Sequence, residues 1–132
     1  MAIILPTTLA AAAAAALINF WLANRVGRVR MAEKISVGDG GNERLSRRMR
    51  AQLNFAENTP FVLILIAAIE LAGRGGVWLS LLGGAYMLAR VLHGLGMDGG
   101  SMQWGRMVGI VVTLLTLVVL AVTAVLVLLQ VV

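Results

Sequence analysis

From Met107 to Val132 the chain reads MVGIVVTLLTLVVLAVTAVLVLLQVV, with no Asp, Glu, Lys, Arg or His in the run. In water, so many β-branched residues would favour a strand. In hydrocarbon every backbone N–H and C=O must find a partner within the segment, so an uninterrupted run of this length is a helix. About 20 apolar residues carry a helix across about 30 Å of hydrocarbon. This one stretch therefore ties the chain to a membrane. Three other segments qualify or nearly do, over about 3–24, 51–73 and 76–96. The opening MAIILPTTLAAAAAAALINFW has the apolar run of a secretory leader, but its first positive charges follow the run. It is expected to be a retained helix, whose alanines permit close packing.

Composition agrees. Hydrophobic residues make up 60% of the 132 and charged ones 13%, with a mean hydropathy of +0.92. A soluble domain is about half apolar and about a quarter charged. The net charge of +5 and pI near 11.4 could point to nucleic acid. The basic residues are not spread over a soluble face, however. Of eleven, Arg25, Arg28, Arg30, Lys34, Arg44, Arg47, Arg48 and Arg50 lie between the first two apolar segments. That distribution is a topology signal, and no nucleic-acid partner is expected. With Arg106 in the third connection, it places the first and third loops in the cytoplasm and both termini outside. The expected architecture is an all-α single domain, residues 1–132, with helices over about 3–30, 44–73, 76–96 and 105–131. The GDGGN at 38–42 is a turn-rich break between the first two. No cysteine is present and His93 is the only histidine, so no metal site is expected.

The second segment enters the membrane through RRMRAQLNFAENTP, residues 47–60. Arg47, Arg50, Asn54 and Glu57 recur at intervals of 3, 4 and 3, one face of a helix. Pro60 follows, where it frees a carbonyl. The third segment independently aligns Tyr86, Arg90, His93 and Met97. A charge at mid-bilayer costs at least about 2.5–3.5 kcal/mol. The two stripes should therefore face each other, a neighbouring subunit or a water-filled cavity. Structural pairing is the plainer reading: arginines snorkelling to phosphates, Glu57 joined to Arg50 or Arg90, Tyr86 as an interfacial anchor and Met97 as packing. Against it stands the excess of Arg47, Arg50 and Arg90, with Arg28, Arg30 and Arg106 nearby, over the single acid Glu57. Such a cluster suits a ligand with more than one carboxylate or phosphate.

At these residues the chain resembles the membrane-associated proteins in eicosanoid and glutathione metabolism (MAPEG). Arg47, Arg50, Asn54, Glu57 and Pro60 fill a helix-2 signature similar to R-x-x-R-x-x-x-N-x-x-E-x-x-P. GGAYMLARVLHGLG looks like the family's helix-3 segment, and ISVGDGG is similar to the loop of its small bacterial inner-membrane members. The resemblance implies a left-handed four-helix bundle assembled as a homotrimer in the bacterial inner membrane, with glutathione held between subunits near the cytoplasmic side. It implies cofactor-binding roles for Arg50, Gln52, Asn54, Glu57, Arg90 and His93. Arg28, Arg30 and Arg47 join them as neighbouring cations. Arg106, at the start of helix 4, is the candidate to stabilise a thiolate. With no cysteine in the chain, that thiol must come from the bound cofactor. Asn58 and Met97 stand where relatives carry tyrosine.

Three functions follow as expectations. The first is a glutathione-dependent transferase or peroxidase acting on lipophilic small-molecule electrophiles drawn from the membrane lipids. The second is a non-catalytic membrane protein binding an anionic lipid or metabolite in the same cleft. The third is a small multidrug-type transporter. The last fits poorly, because the membrane part of helix 1 offers Asn19 and Asn24 but no carboxylate.

Overall fold

In the computed structural model, residues 3–132 are described. They form four α-helices and one short 3-10 turn, with no strand among the described residues. α1 spans Pro6–Glu33, α2 Glu43–Leu71, α3 Val77–Gly96 and α4 Trp104–Leu128. Proline in the first turn of α1 costs nothing, because that N–H has no partner within the helix. α1 ends where Lys34 turns left-handed at φ 55 and returns its N–H to the Arg30 carbonyl. Asn42 opens α2, its Oδ1 accepting from the Leu45 N–H at 2.9 Å. α2 then runs through Pro60 without ending.

α1, α2 and α4 are long and apolar enough to cross a membrane. α3 is the exception, and its composition explains why: of its 20 residues, Arg90 and His93 are strongly polar and both are buried. α3 packs chiefly on α4, and α1 on α2. Inward stripes build the core: Ala11, Ala15, Ile18 and Leu22 from α1, Phe55, Val62 and Ile66 from α2, Leu79 and Tyr86 from α3, and Leu120 from α4. The outer face of α4 leaves Val111, Leu114, Leu115, Val118 and Val122 exposed. In hydrocarbon such a face carries no penalty.

α3 and α4 approach closely, and glycine makes it possible. A methyl group at Gly105 would meet the Leu92 carbonyl, one at Gly109 the His93 Cβ, and one at Gly96 the Arg106 backbone. Small residues let helix backbones approach in lipid. Here the approach brings the start of α4 alongside His93.

At the other end of the bundle, the Glu70 carboxylate of α2 closes the start of α1. It accepts from the Thr7 N–H at 2.9 Å, the Thr8 N–H at 2.8 Å and the Thr8 hydroxyl at 2.7 Å. α1 has no side-chain cap of its own at Leu5. The carboxylate of a neighbouring helix thus satisfies the orphan amides and meets the positive end of the helix dipole.

Candidate functional site

The α3 stripe turns inward. Arg90 is only 1% exposed. Its Nη1 donates to Thr113 Oγ1 of α4 at 3.0 Å, and its Nη2 to Asn54 Oδ1 of α2 at 2.7 Å. The same Nη2 lies 3.4 Å from His93 Nδ1, and the guanidinium carbon stands 6.0 Å from the centre of the Phe55 ring. None of these neighbours is a carboxylate. The ion pairs among the described residues are Arg25–Asp98, Arg48–Asp98 and Arg47–Glu43, so Arg90 is a buried cation without a carboxylate. Tyr86, one turn away, is fully buried and shares a 2.8 Å hydrogen bond with Thr59. Of the two readings of Tyr86, the buried stripe residue holds rather than the interfacial anchor, and Glu57 pairs with neither Arg50 nor Arg90.

Directly outside Arg90 lies a cavity of about 120 Å³ lined by Arg50, Leu53, Asn54, Glu57, His93, Met97, Arg106 and Ile110. It gathers five of the expected site residues from three helices: Arg50, Asn54 and Glu57 of α2, His93 of α3 and Arg106 of α4. Arg90 stands behind its wall. Two guanidinium groups at the rim and one behind face a single carboxylate. The cavity therefore carries net positive charge and offers planar donor forks, which match carboxylates.

The remaining expected residues lie elsewhere on the chain. Arg30 and Gln52 line a recess of about 430 Å³ between α1 and α2, together with Val26, Ser46, Met49, Leu53 and Ala56. Arg50 borders this recess and the cavity both. Arg30 also ties down the following loop, donating to the Gly38 carbonyl at 2.7 Å. Gln52 Nε2 lies 3.4 Å from Asn19 Oδ1. Arg47 is turned away by Glu43, one helical turn back, at 2.6 Å. Arg28 is exposed and makes no side-chain hydrogen bond among the described residues.

One cluster escaped the sequence reading. Asp98, in the α3–α4 connection, takes hydrogen bonds from Arg25 of α1 and from Arg48 of α2, the latter at 3.0 Å to each carboxylate oxygen. Arg25 also donates to the Gly94 carbonyl at 2.7 Å and stacks 4.8 Å above Trp21. Partial burial pushes the Asp98 carboxyl up, but the hydrogen bonds from Arg48 and the Arg25 charge outweigh it and hold the group below its ordinary 3.8. Only Asp98, the one acid in a loop otherwise rich in glycine, hinted at this clasp in the sequence.

Residues 8–126, from the first turn of α1 to the last turns of α4, match the model of the MAPEG family. The chain belongs to that family. No curated protein matches it. As a MAPEG protein with three helices long and apolar enough to span a bilayer, it is an integral membrane protein. The cavity bordered by α2, α3 and α4 holds most of the helix-2 and helix-3 motif residues that carried the resemblance.

Proposed function

We propose that this MAPEG protein binds glutathione and uses it against lipophilic electrophiles, as a transferase or peroxidase. The observation that carries the reading is the convergence of Arg50, Asn54, Glu57, His93 and Arg106 on one cavity with an excess of guanidinium. Those residues fit a γ-glutamyl tripeptide. Arg50 faces a carboxylate, Glu57 receives the ammonium group, and Asn54 and His93 donate to the remaining acceptors. The cavity is small beside the roughly 300–1,000 Å³ of ordinary small-molecule sites, so a second surface must complete it. In a homotrimer, the recess of a neighbouring copy, with its Arg30 and Gln52, supplies that surface. The arginine-rich end then faces the cytoplasm, with a bacterial inner membrane as the setting and both termini outside.

Glutathione, when bound, supplies the thiol that the chain lacks. A free thiol near pKa 8.5 is mostly protonated at neutral pH. The Arg106 guanidinium at the cavity rim favours its anion electrostatically. The exposed valines and leucines of α4 offer the apolar partner a path from the lipid.

Thermal unfolding of the detergent-solubilised protein tests the reading. A ligand that binds only the folded state stabilises it by about 2.7 kcal/mol at a hundredfold excess over its dissociation constant. Glutathione is expected to raise the melting temperature of the wild type, and Arg50→Ala and Glu57→Ala to abolish the shift. Arg106→Ala should abolish turnover while sparing most of the binding. No shift at millimolar glutathione would refute the reading. A shift without thiol-dependent turnover across a broad electrophile panel would identify a binding protein instead.

A further inference from the structure

Arg90 shares a stripe with the cavity residues but does not line the cavity. It touches two residues that do, and a guanidinium can only donate hydrogen bonds. This one-sidedness determines what its neighbours can be. Asn54 must turn its oxygen toward Arg90 Nη2, at 2.7 Å, which leaves its amide N–H₂ for the cavity. The Asn54 backbone carbonyl is already occupied by Asn58 Nδ2 at 2.8 Å, so the side-chain amide is not needed there. His93 presents Nδ1 to the same Nη2 at 3.4 Å. For that contact to be attractive, Nδ1 must carry a lone pair, which moves the ring proton to Nε2. Thr113 and Phe55 hold the guanidinium from the other sides.

We infer that Arg90 is a positioning residue: from behind the wall it orients Asn54 and fixes the tautomer of His93, so that both turn N–H donors into the cavity. With Arg50 and Arg106 at the rim, every polar group around the cavity except Glu57 is then a donor. The ligand it selects carries several acceptor groups, at least two of them anionic, and one donor for Glu57. The inference deepens the glutathione reading, but its first test needs no ligand.

His93 is the only histidine in the 132 residues, so a long-range ¹H–¹⁵N spectrum of the imidazole in detergent reports one ring without assignment. The wild type at neutral pH is expected to show a neutral ring protonated at Nε2. A ring protonated at Nδ1, or an imidazolium, would overturn the inference whether or not glutathione binds. Folded Arg90→Met, which removes the donor but keeps the length, should give mixed tautomers and bind glutathione about tenfold more weakly. A pure Nε2–H spectrum in that variant would show that Arg90 does not set the tautomer. Should Arg90→Met fail to fold, Asn54→Asp provides the second reading. It keeps an oxygen for Arg90 but replaces the cavity-facing donor with an anion, so glutathione binding should fall at least tenfold. Unchanged binding there would remove Asn54 from the donor set and overturn its half of the inference.

Discussion

Arg25 and Arg90 are both buried arginines on inward stripes, 9% and 1% exposed, and the bundle satisfies them in opposite ways. Arg25 has a carboxylate, a backbone carbonyl and a tryptophan face, with Arg48 sharing the same acid. Arg90, the more buried, has a hydroxyl, an amide oxygen, an imidazole nitrogen and a phenylalanine face, but no carboxylate. The first arrangement is neutralised and closes a loop. The second leaves its charge unspent beside a cavity. A buried cation deprived of its carboxylate is strongly unfavourable unless something else compensates. The difference separates an arginine neutralised within the bundle from one whose charge is left unpaired behind a cavity wall.

Removing Asp98 would break the comparison most sharply. Asp98→Asn leaves Arg25 without its charge partner and should cost about 2–3 kcal/mol, less than for a fully enclosed pair because the Asp98 side chain is 33% exposed. Chemical or thermal denaturation checks this. The glutathione-dependent shift should survive, since nothing around Arg90 changes. The converse experiment makes Arg90 resemble Arg25. Asn54→Asp supplies the missing carboxylate, so the unfolding free energy should hold or rise by up to about 1 kcal/mol even as glutathione affinity falls. A drop in stability would mean that Arg90 is not short of negative charge.

Acid should act on the two arginines unequally. The Asp98 carboxyl is held below 3.8 in the folded protein, so its contribution is present above that ordinary value and disappears as pH falls through the depressed one. Acid unfolding followed by circular dichroism should therefore show a low-pH loss in wild type that is reduced in Asp98→Asn. The smallest effect is expected at Arg28. Exposed and without a side-chain partner among the described residues, its change to alanine should alter stability by less than about 0.5 kcal/mol. A larger loss of glutathione binding than of stability would place Arg28 at a surface supplied by another copy.

Much of the cavity was legible because helical periodicity carries it. Arg50, Asn54 and Glu57 share a face at intervals of 4 and 3, and Arg90 and His93 share another. Spacing could not say how deep each residue would sit. Arg47 belongs to the same stripe, yet Glu43 captures it one turn back. Tyr86 could as well have been an anchor at the membrane surface as a buried partner of Thr59. Glu57 could as well have been a salt-bridge partner as the acid at the cavity rim. The Arg25–Asp98 clasp was beyond reach, since 73 residues separate its members and no local period links them. The four helices were readable because hydrocarbon leaves the backbone so few alternatives.

The Glu70 contact has a consequence for the order in which the bundle can be made. The Thr8 amide and hydroxyl find their acceptor 62 residues further along the chain. At roughly 5–20 residues per second of synthesis, the first helix waits roughly 3–12 s for the group that finishes it. Until then its leading turn has only water, lipid headgroups or the insertion machinery to satisfy it. Arrival of the end of α2 closes that turn, so a hairpin of α1 and α2 is the earliest unit in which the first helix is complete.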